Sequence, residues 1–125
     1  MKYRVVKRSN PQKKDEVKQY ASPVNAGRLK IKDLSKDIAA RTTLNRGDIE
    51  NVLISFVESL PTYLKVGMSV KLGEFGTMRL SLKSEGVEEP KKFDASKIQG
   101  VKIIFTPSSE LKRSLQDIEF EEERK

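Results

Sequence analysis

The fold of this chain is decided by VGMSVKLGEFGTMRL, residues 66–80. Short apolar segments flank the glycines of Gly73–Gly76, which predicts two strands joined by a tight turn, Ser69–Leu72 and Gly76–Lys83. In the second strand the apolar residues Met78, Leu80 and Leu82 alternate with polar residues. Successive side chains of a strand point to opposite faces, so this alternation predicts a sheet with one buried face.

Two amphipathic helices are predicted upstream of these strands. The first spans about residues 32–41. The second starts at Asn45, whose side chain can accept a hydrogen bond from an N–H group of the first turn. Pro61 predicts a kink or an early break in the second helix. Apolar residues recur in this helix at intervals of three and four, at Ile49, Val52, Leu53, Phe56, Val57, Leu60 and Leu64.

Downstream of the strands, a polar excursion separates two apolar segments. Residues 84–100 include Pro90 and have no apolar face. Val101–Phe105 is predicted to be a strand, and Thr106-Pro107 to start a last helix, because proline fits the first helical turn. Each predicted helix and strand has only one apolar side, so a dimer with a shared core is the natural arrangement for so small a unit.

Both ends of the chain have the character of strands. Tyr3–Arg8 is rich in β-branched residues, and Ile118–Glu123 alternates apolar with acidic residues. Lys13–Asn25 is polar and is predicted to be an extended connection. Because the first terminal strand is cationic and the second anionic, we expect the two strands to pair, within one chain or across a dimer.

The composition excludes several classes of site. The chain has 125 residues, no cysteine and no histidine, which removes disulfides, thiolate nucleophiles, Cys/His zinc sites and histidine catalysis. No carboxylate–lysine pair has a convincing catalytic spacing. No apolar run is long enough for a signal peptide or a membrane span. We therefore expect an intracellular protein that is not an enzyme and that uses no metal, cofactor or small-molecule substrate.

The charge is unevenly distributed along the chain. Residues 1–36 hold eleven Lys and Arg against three acidic residues, a net charge of +8, within a total of +7. Residues 37–116 carry +2 and residues 117–125 carry −3. The basic first third predicts a polyanionic partner, a nucleic acid before a membrane surface. An equally open interpretation is that the basic head and the acidic tail neutralise each other within the fold.

Three segments of the chain resemble the bacterial HU and integration host factor family of histone-like, DNA-bending proteins. They are LSKDIAARTTLNRGDIENVL at 34–53, the stretch 66–80 quoted above, and VKIIFTP with ELKRSL within 101–115. The most specific signature is Gly67-x-x-Val70-x-Leu72-Gly73-x-Phe75-Gly76-Thr77.

This resemblance implies an α+β fold, an HU/IHF-like intertwined dimer with a helical body, a three-stranded antiparallel sheet and a β-arm, plus extra terminal strands. It divides the chain into an N-terminal extension at 1–28, an HU-like DNA-binding domain at 29–116 with its arm at about 81–102, and an acidic tail at 117–125. It also implies architectural, largely sequence-nonspecific binding and bending of double-stranded DNA by a homodimer. The expected location is the cytoplasmic nucleoid, with no membrane partner.

The resemblance also assigns roles to individual residues. Pro90 would be the wedge that enters between base steps, and the N–H groups at the start of the last helix would hold a phosphate. The residues expected to bind DNA are Arg46, Arg79, Lys83, Pro90, Lys91, Lys92, Lys97, Lys102, Ser108 and Ser109.

The arm departs from the family pattern at its tip. The family carries Arg-Asn-Pro, whereas this chain has Glu88-Glu89-Pro90. An alternative therefore stays open, an HU-fold structural or protein-interaction module with weak or lost DNA binding, in which Pro90 is an ordinary loop proline. A further candidate contact with flanking DNA is the basic stretch of the head, Lys13, Lys14, Lys18, Arg28, Lys30 and Lys32.

Overall fold

The computed structural model describes residues 1–13 and 15–124, and in this part of the chain it has the mixed α+β architecture that the sequence predicts. Two short 3₁₀ turns, Pro90–Lys92 and Ala95–Lys97, interrupt the segment between the fourth and fifth strands. The elements in chain order are β1 (Lys2–Ser9), β2 (Val17–Pro23), α1 (Ile31–Arg41), α2 (Arg46–Lys65), β3 (Val70–Leu72), β4 (Gly76–Ser84), β5 (Ile98–Pro107), α3 (Ser109–Ser114) and β6 (Glu121–Glu122).

The helix α2 is the longest element and packs against α1. It begins where the sequence predicts, because the Asn45 side chain accepts a hydrogen bond of 2.8 Å from the N–H of Asp48. Of the kink or early break expected at Pro61, the early break is wrong, since α2 continues without interruption to Lys65. The turn after the proline contains Leu64, which is buried, and this packing holds the turn in place.

The central sheet has the strand order β3-β4-β5 and is antiparallel throughout. It follows the predicted strand–turn–strand, with Gly73 at φ +46° in the turn, a backbone conformation that favours glycine. The strand β5 starts at Ile98, three residues before the prediction. Ile98 pairs with Ser84, and the N–H of Glu85 donates to the carbonyl of Lys97, so the ladder continues into the polar segment.

The last helix starts later than predicted. Pro107 is the final residue of β5 and pairs with Gly76, so Thr106-Pro107 is not the helix start. The cap is Ser108, whose side chain accepts a hydrogen bond of 3.0 Å from the N–H of Leu111. A proline is tolerated there because β5 is an edge strand of this sheet and Pro107 is its last residue.

The terminal strands form a second sheet with the order β2-β1-β6. The predicted pairing of the two chain ends is confirmed within one chain, where Lys2 lies beside Glu121 in a parallel arrangement. The prediction of a mere connection at Lys13–Asn25 is wrong, because this segment contains β2, which pairs antiparallel with β1. The strand was missed because polar residues lie on both of its faces and hide the alternation.

The single chain does not enclose a core of ordinary size. Among the described residues, Ile49 and Leu64 are the only buried hydrophobic residues. The accessible surface is 11128 Å², whereas a compact monomer of this mass exposes about 6,800 Å². Much apolar surface is therefore left uncovered on both the helices and the sheet.

Candidate nucleic-acid interface

One face of the central sheet is turned toward α2. Phe56 and Leu60 of α2 join Val70, Met78 and Phe105 of the sheet around a small apolar hollow of about 40 Å³. The strand register puts Val70, Met78 and Phe105 side by side, so the side chains that alternate with them point away from the helix.

The opposite face of the central sheet carries a row of cations. The register places Lys71 beside Thr77, and Ser81 beside Lys102. Arg79 and Lys83 belong to the same alternating set of β4. We call Lys71, Arg79, Lys83 and Lys102 the cationic sheet face. In the part of the chain that the structure describes, none of the four has a carboxylate oxygen within 4.0 Å, so their charges are available to an anion.

Three of these four cations were predicted to contact DNA, and the structure brings them together. Lys71 was not predicted. The signal that could have found it is the alternation Val70, Lys71, Leu72 in β3, because the antiparallel pairing of β3 with β4 must place Lys71 on the face that carries Arg79.

An open polar groove of about 410 Å³ lies at one end of the cationic sheet face. It is lined by Lys71, Thr77, Thr106 and Ser109, together with the acidic residues Glu74 and Glu110. A phosphate approaching this groove would therefore meet a lysine, hydroxyl groups and two carboxylates.

The expected phosphate site at the start of α3 is only partly available. The backbone N–H of Ser108 donates to the carbonyl of Phe75 at 3.2 Å, so the expectation that this group is free is wrong. The Ser108 hydroxyl is also engaged, because it donates to the carbonyl of Glu74 and accepts from Leu111. The residue is used to cap α3 and to tie it to the β3–β4 turn, which leaves Ser109 as the candidate.

The loop between β4 and β5, residues 85–97, lies where the sequence predicts an arm, and we call it the arm loop; it has little net charge. Pro90 opens a 3₁₀ turn in which Lys91 and Lys92 are exposed. The ammonium group of Lys97 lies 4.0 Å from a carboxylate oxygen of Glu85 across the base of the loop. The loop contains three lysines against four acidic residues. Of these two regions, the cationic sheet face therefore carries the larger net positive charge.

The remaining predicted cations lie on other elements. Arg46 is the first residue of α2 and is exposed. In the head, Lys18 forms an ion pair of 3.0 Å with Glu16. Lys14 lies outside the described residues. None of these positions belongs to the cationic sheet face.

Two further features bear on the site. Within residues 1–13 and 15–124, no group of three or more acidic residues is arranged to hold a metal ion. Over the same residues, no helix combines the length and the apolar character needed to cross a bilayer.

Comparison with solved structures identifies the fold. The chain is similar to a crystal structure described as a candidate bacterial DNA-binding protein from Bacteroides vulgatus ATCC 8482, with a TM-score of 0.62 and 13% identity. That match covers 97% of this chain and 47% of the other, so this chain spans about half the length of that protein. It is also similar to HU in a cocrystal with DNA from Anabaena, with a TM-score of 0.55 and 14% identity, over 72% of this chain and 100% of that one.

Comparison with curated proteins finds no match for this sequence. The model of one family matches residues 1–122, nearly the whole chain, including the terminal sheet and the central sheet. These findings agree with the strand–turn–strand signature and the antiparallel central sheet. The chain belongs to the HU-HIG family, described as an HU domain fused to a wHTH, Ig or glycine-rich motif.

Proposed function

We propose that this chain is an architectural protein that binds double-stranded DNA through the cationic sheet face. The observation that carries the proposal is the row of four cations on one side of the sheet, opposite α2, none of which has a carboxylate oxygen within 4.0 Å among the described residues. The likeness in fold to an HU that was crystallised with DNA supports this choice of partner. Such a protein would be associated with the bacterial nucleoid.

The chemistry of the face favours binding without strong sequence preference. Lysine and arginine side chains bind phosphates and release condensed counterions, which supplies a free energy that depends on salt. Phosphate contacts fix the position of a protein on the duplex but do not read bases. From the arm, Lys91 and Lys92 would add phosphate contacts, and Pro90 would reach the minor groove. Arg46 and Ser109 are further candidate contacts.

We infer that the binding unit is a homodimer. The chain exposes about 4,300 Å² more surface than a compact protein of its mass. Part of this surface is the apolar side of the arm strands, where Ile103 is 69% exposed and Leu82 is 62% exposed. Obligate dimers bury interfaces of about 2,000–5,000 Å², so a second copy is of the right size to cover this surface. Sedimentation equilibrium of the full chain tests this inference, and a stable monomer would contradict it.

The affinity for a random DNA duplex across a salt series tests DNA binding. Each neutralised phosphate contributes about −0.9 to the slope of log K against log salt. We expect a slope of several units, reduced by about 2 in the double variant Arg79→Ala/Lys102→Ala. Lys36→Ala is the matched control, because Lys36 is an exposed cation on α1. An equal slope for both variants would contradict the assignment to the sheet.

A second candidate function is a protein-interaction module that keeps the HU fold but has lost its grip on DNA. The observation that favours it is the acidic character of the arm loop, with Glu88 and Glu89 before Pro90 and with Lys97 beside Glu85. Carboxylates and phosphates are both negatively charged and repel each other, so these glutamates weaken DNA binding through the arm. Absence of binding at low salt by a folded dimer would decide for this candidate.

A further inference from the structure

One face of the terminal sheet carries an aromatic side chain among cations. The register of β1 and β2 sets Val6 beside Tyr20 and Arg8 beside Lys18, and residues directly opposite each other in an antiparallel pair share a face. We call this face the Tyr20 face. Its members on the two strands are Lys2, Arg4, Val6, Arg8, Lys18, Tyr20 and Ser22.

The acidic tail neutralises only one end of the Tyr20 face. Glu121 lies beside Lys2, and a carboxylate oxygen of Glu123 lies 3.3 Å from the guanidinium of Arg4. The strand β6 has two residues and pairs with the start of β1, so it does not reach Arg8. Over residues 1–13 and 15–124, Arg8 has no carboxylate oxygen within 4.0 Å.

The other end of the Tyr20 face, at the β1–β2 hairpin, holds two cations side by side. Arg8 lies directly opposite Lys18, and like charges in such a pair destabilise a sheet. Glu16 forms an ion pair of 3.0 Å with Lys18 and offsets only one of the two charges. An anion over this pair would remove the remaining repulsion, so this end of the face is suited to an anionic ligand.

An open hollow of about 270 Å³ lies beside the cation pair. The hairpin loop that forms one wall is held by the N–H of Asn10, which donates to the carbonyl of Glu16 at 2.9 Å. The side chain of Tyr20 is 39% exposed, so solutes can reach its ring. The hollow is lined by Arg8, Ser9, Pro11 and Tyr20.

The residues around this hollow combine a cation with two rings. Proteins that bind single strands stack bases on aromatic side chains and hold the backbone with cations. In a duplex the bases lie inside the stack, so an exposed ring among cations gains no base contact from it. A free nucleotide is a poorer match, because small-molecule sites bury about 70–90% of their ligand and this hollow is open.

We propose that the hairpin end of the Tyr20 face binds an unpaired strand of nucleic acid. One base stacks on the ring of Tyr20, and the neighbouring phosphate meets Arg8 and Lys18. This site lies on the terminal sheet and is separate from the cationic sheet face. It therefore does not rest on the proposed binding of duplex DNA, and it gives part of the basic first third of the chain a partner.

Tryptophan fluorescence tests the proposal locally, because the natural chain has no tryptophan. Tyr20→Trp puts a single reporter in the hollow, and Tyr3→Trp is the matched control, since Tyr3 lies on the opposite face of the same sheet. Both full-length variants are titrated at low salt with oligothymidylate of about 12 nucleotides, a length within the range of single-strand sites. A stacked base should quench the emission of Tyr20→Trp and leave that of Tyr3→Trp unchanged. Equal quenching of the two variants would overturn the proposal.

Two substitutions at the same position separate stacking from charge. Tyr20→Phe keeps the ring, whereas Tyr20→Val keeps the preference for a strand without the ring. Loss of one stacked base should weaken the binding of labelled oligothymidylate by about five- to 150-fold in Tyr20→Val, and Tyr20→Phe should bind as the natural residue does. Both are measured in the Arg79→Ala/Lys102→Ala background, where the cationic sheet face contributes less. Equal affinities of the two variants would show that no base stacks there.

The phosphate contact has its own matched pair of variants. Arg8 and Lys7 are neighbouring cations on opposite faces of β1. In the same background, Arg8→Ala should reduce the slope of log K against log salt for the single strand by about 0.7, and Lys7→Ala should leave it unchanged. Equal slopes would contradict the assignment of the phosphate to this face.

Other ligands give different results, and each would overturn the proposal. If the face binds the flank of a duplex, a duplex of the same length quenches Tyr20→Trp as strongly as the strand does. If the hollow takes a free nucleotide, thymidine monophosphate quenches it at the same concentration. The proposed function is tested separately, because quenching should persist when Arg79→Ala/Lys102→Ala weakens duplex binding. Quenching that is lost together with duplex binding would place the strand on the central sheet instead.

Discussion

The ring of Phe105 lies directly against the α-carbon of Gly76. A Cβ atom built on Gly76 would be 2.8 Å from Cε2 of Phe105, closer than real Cβ contacts, and would also collide with the carbonyl oxygen of Thr106. Phe105 in turn packs against Phe75, with ring centroids 4.7 Å apart and the ring planes tilted by 35°. The glycine therefore allows β4 to start beside the aromatic pair, which connects the turn of the signature to the core beneath α2.

Replacing Gly76 with alanine should destabilise the fold strongly. The residue has φ +148°, so the side chain adds backbone strain to the steric overlap with Phe105. Together these effects should lower the free energy of unfolding by about 2–4 kcal/mol. Gly86→Ala is the control, because no atom lies within 4 Å of its added Cβ. Urea denaturation followed by helical circular dichroism measures both, and equal midpoints would contradict the packing described.

Lys71 should contribute to DNA binding even though the sequence alone did not single it out. It lies on the cationic sheet face next to Thr77 and borders the polar groove beside Ser109. Lys71→Ala should reduce the slope of log K against log salt by about 1, with the loss in affinity uniform across duplex sequences. Lys36→Ala should leave both quantities unchanged. A Lys71→Ala protein with the slope of the natural chain would show that this end of the sheet does not meet phosphate.

The carboxylates of the arm loop should weaken DNA binding. Glu88 and Glu89 are exposed and immediately precede Pro90, where a duplex held by the arm would pass. The double change Glu88→Gln/Glu89→Gln removes two negative charges and should raise affinity by roughly three- to tenfold at low salt, about 1 kcal/mol. Glu58→Gln, on α2, is the control for a general change in net charge. If the arm does not touch DNA, the two proteins will bind equally.

The sequence was most informative where local rules and packing agree. The glycine signature around Gly73 gave β3 and β4, and the three- and four-residue spacing from Asn45 gave α2. The early break expected at Pro61 does not occur, and the turn that follows the proline contains the buried Leu64, whose packing opposes the local cost of a proline in a helix. The intrinsic helix or strand preference of a residue determines the local structure only where tertiary contacts do not oppose it.

The candidate site was predicted less completely because it depends on pairing between strands. Arg79 and Lys102 could be proposed from the resemblance, but their common face follows only from the register of β4 and β5. Lys71 required the pairing of β3 as well. The hydrogen bond that the N–H of Ser108 donates to the carbonyl of Phe75 joins two segments that are distant in the sequence, and no local pattern indicates it.

Pro90 should determine bending more than affinity. It opens an exposed 3₁₀ turn at the tip of the arm loop, where it accepts a backbone hydrogen bond from Phe93 and packs in no described core. If its ring enters between base steps, Pro90→Ala should reduce the bend angle in a fluorescence energy-transfer assay on an end-labelled duplex. Affinity should change little, because the phosphate contacts of the sheet remain.

Lys91→Glu/Lys92→Glu is the complementary variant, since it should weaken binding and lower the salt slope by about 2 if the arm contacts phosphate. An unchanged bend angle in Pro90→Ala, together with an unchanged slope in the lysine variant, would mean that the arm takes no part in DNA binding and that its proline has only a local role in the loop.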